Sequence, residues 1–356
     1  MTSAEVLAEV GGVAPMGSHP DTPDDADAAL QAVARSASRL VGRACRPLGR
    51  LASRALPGGG GTVLVVALTS PYGDLVAKLA PPAVTAAGAR AQCAAEEATS
   101  GVLGGPRVPR VLGHDPVAGL VVMERATGEP LATHVARGDL AAATRAGRAL
   151  AVLHGTTAGV AAQLAAGSHR APTAADHLRD LVLPQPRQLG PCAQPRSVAR
   201  SASELADAVV LAVDAVAAPL RLVHRDLHPR QVIVDGDQTW LLDWDLAAAG
   251  DPALDVGNLL GHARSRLAPA AAEAFVVAFL AGYRSHDTTR ALARVAPYEA
   301  FTYLRLACKT ARVRGPAGSP EVQRLLRRGR GALLAVDTAA ATSMAGPPAR
   351  QVLEVL

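Results

Sequence analysis

The sequence predicts an α+β protein of two unequal lobes: a small antiparallel sheet first, then a larger and mainly helical region. Three observations predict it. From about residue 46 to Met123, short β-branched runs alternate with glycine and proline turns. After Met123 the apolar residues recur mostly at three-to-four spacing, the period of helices with one buried face. Within that helical part, residues 220–242 alternate strands and turns over a short span. A chain of 356 residues is long enough for two lobes with a sizeable core. Only 3% of the residues are aromatic against 49% hydrophobic, so Ala, Leu and Val must fill most of that core.

Residues 1–24 are rich in Gly, Pro, Ser and Asp and read as a mobile tail. A helix follows from Asp24 to Val41, with Leu30, Val33, Ala34, Ala37 and Val41 on one face. Leu48–Leu56 reads as a strand, Pro57–Gly61 as a flexible turn, and Thr62–Leu68 (TVLVVAL) as a strongly β-branched strand. Pro71–Asp74 is a tight turn before the short strand Leu75–Leu79 (LVAKL). Ala83–Leu103 is expected to be helical, and Val108–Leu112 and Gly119–Met123 to be short strands. In the second part, helices are expected at 139–154, 201–216, 253–267, 270–283, 291–313 and 320–335. Residues 155–200 are weakly patterned and contain several prolines. Three segments follow: an N-terminal extension (1–45), an N-lobe (46–122) and a C-lobe (123–356).

Charge and composition exclude several classes of function. The net charge of +5 comes from 36 basic and 31 acidic residues with no dense basic run and no interleaved aromatics, which argues against nucleic acid. No apolar stretch reaches the roughly 18 residues that span a bilayer. The N-terminus lacks a basic region followed by an apolar core, so no secretory signal is expected. The four cysteines are scattered without metal spacing, which fits a reducing cytoplasm. Only two of the basic residues, Lys78 and Lys309, are lysines. In a chain nearly emptied of lysine, a survivor marks either chance or a place where a compact ammonium is needed.

The most informative segment is LVHRDLHPRQVIVDGDQTWLLDWD, residues 222–245. A hairpin between Val232 and Leu242 brings its ends together, so Gln231 and Asp243 stand side by side with Asp226 nearby. An amide oxygen and a carboxylate suit Mg²⁺, a hard cation that takes oxygen ligands. Asp226 is then free to orient or deprotonate an attacking hydroxyl.

This segment resembles the catalytic and metal-binding loops of the aminoglycoside phosphotransferase and choline kinase-like family, which has a protein-kinase-like fold. His224, Asp226 and Asp243 match its H-x-D and I-D-W motifs, and Gly250–Asp255 (GDPALD) matches the run that follows them. The resemblance covers about residues 46–313. It implies an ATP- and Mg²⁺-dependent transfer of the γ-phosphoryl group to a small-molecule hydroxyl, with Asp226 as the catalytic residue and Gln231 and Asp243 on the metal. Gly59, Gly60, Gly61 and Thr62 would cover the nucleotide phosphates, and Lys78 would contact them. Either Glu96 or Glu97 would pair with Lys78, and counting back from Leu103 favours Glu96. The carbonyl of Glu124 and the N–H of Ala126 would meet adenine.

Two positions depart from the family pattern. Gln231 stands where the family usually has Asn, keeping the amide oxygen but adding a methylene. Arg225 stands where small-molecule kinases of this kind usually have Gly, and the sequence leaves its role open. His224 is expected to bond the main chain near Asp243, and Asp255 to brace the catalytic loop. His228 either lines the acceptor site or is a hydrogen-bonded loop residue. Asp245 reads as a surface carboxylate, with a place in the cleft as the alternative. From Glu124 onward, 26 basic residues face 21 acidic ones, which disfavours a polycationic acceptor such as an aminoglycoside but leaves sugar-like and other hydroxylated compounds. Two other readings remain: a nucleotide-binding pseudokinase that scaffolds, and a protein kinase, which lacks support because no A-P-E segment follows Asp243. Oligomeric state is not legible.

Overall fold

A computed structural model describes residues 23–55, 62–166, 184–187, 189, 194–214, 219–284 and 289–344. The described elements begin with helix α1 (Pro23–Val41), then β1 (Arg46–Ala55), β2 (Thr62–Ser70), β3 (Gly73–Leu79), helix α2 (Pro82–Thr99), β4 (Val111–Asp115) and β5 (Leu120–Glu124). These strands form one antiparallel sheet in the order β1-β2-β3-β5-β4. Side chains alternate across it with period two. Val66, Leu68, Leu75, Ala77, Leu120 and Val122 share a buried cluster with Ala34 and Ala37 of α1. The N-terminal helix therefore seals one face of the sheet. Lys78 follows Ala77 and so points to the opposite face, where Val65 and Val121 flank it in register.

The second lobe contains β6 (Glu129–Pro130), α3 (Leu131–Ala136), α4 (Leu140–Thr156), α5 (Ala158–Ala166) and α6 (Arg196–Asp214). It continues through β7 (Arg221–Val223), β8 (Val232–Asp235), β9 (Gln238–Leu241), β10 (Ala248–Gly250), α7 (Ala253–Arg266), α8 (Pro269–Tyr283), α9 (Val295–Arg314) and α10 (Ser319–Met344). Asp139 caps α4 by accepting the Ala142 N–H at 3.0 Å. Tyr298, Phe301, Phe275, Phe279 and Trp244 anchor the core, so the few aromatics are spent there. α7 and α9 cross closely because α7 offers glycines at the contact. A Cβ on Gly257 would lie 2.6 Å from Cβ of Tyr298, and one on Gly261 would lie 2.8 Å from Cγ2 of Thr302.

The expected elements are found with shifted ends. The helix expected at 291–313 is divided into a turn, Thr289–Leu292, and α9. Pro297 sits in the first turn of α9, where its missing N–H costs nothing, so the helix starts there instead of running through. The last helix runs on to Met344, beyond the expected 335. Cys45, Cys93 and Cys308 are free thiols, and Cys192 lies outside the described residues. No helix among the described residues is long and apolar enough to cross a membrane.

Candidate active site

The hairpin of β8 and β9 pairs Val232 with Leu241, and Leu242 N–H donates to the Gln231 carbonyl at 2.9 Å. This closure sets Gln231 and Asp243 beside each other: Nε2 of Gln231 donates to Oδ2 of Asp243 at 3.4 Å. Oε1 of Gln231 is buried and has no hydrogen-bond partner among the described residues. A buried amide oxygen left unpaired costs free energy unless something takes it. A hard cation between this oxygen and the Asp243 carboxylate would satisfy both, so the donor set fits Mg²⁺. Asp243 adopts φ 66°, ψ 67°, the left-handed region that Asp tolerates better than most residues.

Lys78 reaches across from the sheet to this cluster. Its Nζ lies 2.6 Å from Oδ1 of Asp243 and 2.6 Å from Oδ2 of Asp245. The expected partner Glu96 is not within ion-pair distance; it lines a cleft at the C-terminal end of α2 with Glu124, Arg145 and Arg148. The reason is distance along α2: Glu96 follows Gly88 by eight residues, about 12 Å along the helix axis. Its buried face carries Thr85, Gly88, Ala89 and Gln92, and at Gly88 an added Cβ would meet Oδ1 of Asp245 at 2.8 Å. The helix thus offers the lysine space for Asp245 in place of a carboxylate of its own. Asp245 is correspondingly no surface residue: its side chain is only 12% exposed.

The catalytic loop is held from below. Asp255, fully buried at the start of α7, accepts the His224 N–H at 2.7 Å and the Arg225 N–H at 2.8 Å, as the sequence suggested. His154 of α4 bonds the same carboxylate at 3.3 Å, and its other ring nitrogen meets the Tyr283 hydroxyl at 2.8 Å. The His224 ring donates from Nε2 to the Leu242 carbonyl at 2.6 Å, tying the loop to the residue before Asp243. Arg225 has φ 68°. Glycine would adopt that left-handed conformation without a Cβ penalty, which accounts for the family's preference at this position. Here the Asp255 bond to its N–H and the Asn258 Nδ2 bond to its carbonyl at 2.9 Å hold the arginine in place.

Asp226 sits on this loop and is bound by Arg305 of α9, whose Nη2 donates to Oδ1 at 2.6 Å. Burial alone would raise the Asp226 pKa, but the adjacent Arg305 guanidinium, through its charge and its hydrogen bond, outweighs it and holds the carboxyl below its usual range. The His228 and His262 rings meet at a tilt of 59°, with 5.2 Å between their centroids. Burial and nearby cations push both imidazoles down, His262 to about 3, so both are neutral at physiological pH.

Two further segments concern the nucleotide. The Glu124 side chain is engaged by Arg107 at 3.2 Å, and Arg107 in turn lies over the Trp240 ring at 4.1 Å. No main-chain carbonyl among the described residues takes the N–H of Ala126. Thr62 opens β2, whereas Gly59, Gly60 and Gly61 lie outside the described residues.

The model of the phosphotransferase enzyme family matches residues 52–298, more than half of the chain. The protein belongs to this family. The match takes in Lys78, the catalytic loop, the hairpin and Asp243. No curated protein sequence matches the chain. Among solved structures, the Plasmodium vivax ethanolamine kinase superposes with a TM-score of 0.61 at 12% identity, over 93% of this chain and 94% of that one. A thermostable mutant of aminoglycoside phosphotransferase APH(4)-Ia gives 0.60 at 18% identity, over 88% and 100%. The amicoumacin kinase hAmiN, in complex with AMP-PNP, Ca²⁺ and Ami, gives 0.58 at 16%, over 84% and 92%. At these identities the likeness establishes the fold of the phosphotransferase, bilobal with an antiparallel sheet in its N-lobe.

Of two further residues of the site, Asp245 takes the cleft position, the less favoured of its two expected places, and Arg305 was not expected. Asp245 was visible two positions after Asp243, but its side was not. Arg305 lies 79 residues from Asp226. Its signal is a polar stripe on an apolar helix: Arg294, Tyr298, Thr302 and Arg305 recur at helical spacing and all reach the catalytic loop or the start of α7.

Proposed function

We propose that this phosphotransferase moves the γ-phosphoryl group of ATP to a hydroxyl of a small molecule. The observation that carries the proposal is the cluster of Lys78, Gln231, Asp243 and Asp245, with an unpaired amide oxygen at its centre. Lys78 exchanges a carboxylate for the α- and β-phosphates. Gln231 and Asp243 hold Mg²⁺, which when bound neutralises charge on the phosphoryl oxygens. Gly59–Gly61 and Thr62 cover the phosphates, and the Glu124 carbonyl and Ala126 N–H receive adenine. The acceptor oxygen bonds to the γ-phosphorus as the bond from that phosphorus to the β,γ-bridging oxygen breaks. The electron pair leaves with ADP, and the hydroxyl proton passes to Asp226. The transition state is loose, so a carboxylate of low basicity suffices to orient the hydroxyl and take that proton.

Gln231→Asn is expected to keep Mg²⁺-dependent nucleotide binding. Gln231→Ala should raise the Mg²⁺ concentration required by about tenfold or more. A Mg²⁺ titration of nucleotide binding measures both, and an unchanged Ala variant removes Gln231 from the metal.

Local charge bears on the acceptor. The cations acting on His228 and His262 beside Asp226 are Arg305 and Arg266, against the single carboxylate of Asp226. This surrounding favours a neutral or anionic hydroxyl compound over a polycation. ADP release is the assay, with kanamycin and choline as cationic acceptors, glucose as a neutral one and gluconate as an anionic one. Preference for the latter two is expected. Turnover on the cations alone overturns the charge argument, and failure to bind Mg·ATP overturns the function.

A further inference from the structure

We propose that Arg305 is a positioning residue for phosphoryl transfer, fixing the catalytic carboxylate of Asp226 so that one of its oxygens is presented to the acceptor hydroxyl. The inference rests on the kinase reading above, but its geometry is independent of any ligand. The Arg305 guanidinium binds three groups. Nη2 donates to Oδ1 of Asp226 at 2.6 Å, and Nη1 donates to the Arg225 carbonyl at 3.2 Å, with Oδ1 of Asn258 at 3.5 Å. One planar group therefore ties the carboxylate to the strained residue next to it. The pairing is one-sided: Oδ1 is taken, and Oδ2 has no hydrogen-bond partner among the described residues. The carboxylate is about one-quarter exposed, so that oxygen remains open to an incoming O–H. A hydroxyl must be held within hydrogen-bond reach and in line with the phosphorus, and a fixed carboxylate rotamer contributes directly to that alignment.

Arg305 is itself held from its own helix. Thr302, one turn earlier, donates to Oδ1 of Asn258 at 2.7 Å, and Asn258 holds the Arg225 carbonyl. The charged and titratable groups facing Asp226 are Arg305 from α9, His262 from α7, and His224 and His228 from the loop, while Arg266 of α7 acts on His228 and His262. Of these, only Arg305 touches the carboxylate with a full positive charge at 2.6 Å.

The test compares Arg305→Gln and Arg305→Lys with the unaltered full-length chain. The Asp226 carboxyl is titrated by ¹³C NMR, its signal identified by its disappearance in Asp226→Asn. Nucleotide affinity and the pH dependence of phosphate release from Mg·ATP, with water as acceptor, are measured alongside. In the Gln variant the carboxyl midpoint is expected to rise by about one pH unit or more. Activity requires the ionised form, so the acid limb of the release profile should move to higher pH by the same amount. The Lys variant should restore most of the shift. Mg·ATP affinity should stay within about twofold, because Arg305 has no contact with the nucleotide-side residues. An unmoved Asp226 midpoint in the Gln variant overturns the proposal, as does a nucleotide affinity that falls together with the rate. If the midpoint moves as expected but Mg·ATP does not bind, the pairing stands and the kinase reading fails.

Discussion

Asp226→Asn should lower phosphoryl transfer by about a hundredfold to ten-thousandfold, the range over which a positioned acid–base group acts. The substitution keeps the shape of the side chain and one oxygen, so Arg305 retains an acceptor and the loop keeps its Asp255 bonds. What is lost is the negative charge and the site that receives the hydroxyl proton. Nucleotide binding should persist, because Lys78, Gln231 and Asp243 are untouched. The measurement is ADP release with the best acceptor of the panel, beside a nucleotide titration. Turnover within threefold of the unaltered enzyme would mean that another group carries the proton and that Asp226 is only a loop residue.

The second large effect falls on stability. Arg294, at the entrance to α9, grips Asp251 with two bonds, Nε to Oδ2 at 2.7 Å and Nη2 to Oδ1 at 2.9 Å, and the Tyr298 hydroxyl adds a third at 3.0 Å. Their side chains are 3% and 1% exposed. Arg294→Met is expected to cost about 3–5 kcal/mol, because it leaves a buried carboxylate without its counter-charge. Chemical denaturation reads this directly. Lys309→Ala, an exposed change on the same helix, should stay within about 0.5 kcal/mol and serves as the control. If the two variants unfold at the same denaturant concentration, the buried pair contributes no more than a surface residue. The cost should also reach the site, since Asp251 leads into the helix that carries Asp255.

Much of this was legible in the sequence because it depends on local chemistry. The hairpin from Val232 to Leu241 follows from β-branched runs on either side of Asp235–Gly236–Asp237, and once it closes, Gln231 and Asp243 have no choice of neighbour. Lys78 stood out because almost every other cation is arginine. Its partner was not legible. Whether Glu96 or another carboxylate meets it depends on which turn of α2 packs over the lysine, and that turn is the one at Gly88, where Asp245 sits, a contact between residues far apart in the chain. The identity of Arg225 signalled a departure, but only the backbone revealed that the position is left-handed. Arg305 required knowing that α9 crosses α7 at Gly257 and Gly261. The polar stripe was in the sequence, and its destination was not.

Lys78 is clasped by two carboxylates. Freezing a four-carbon side chain costs as much as about 2 kcal/mol of rotational freedom. That cost falls on folding, so under the proposed function a triphosphate would meet a cation already anchored and would need only to trade places with one of its anions.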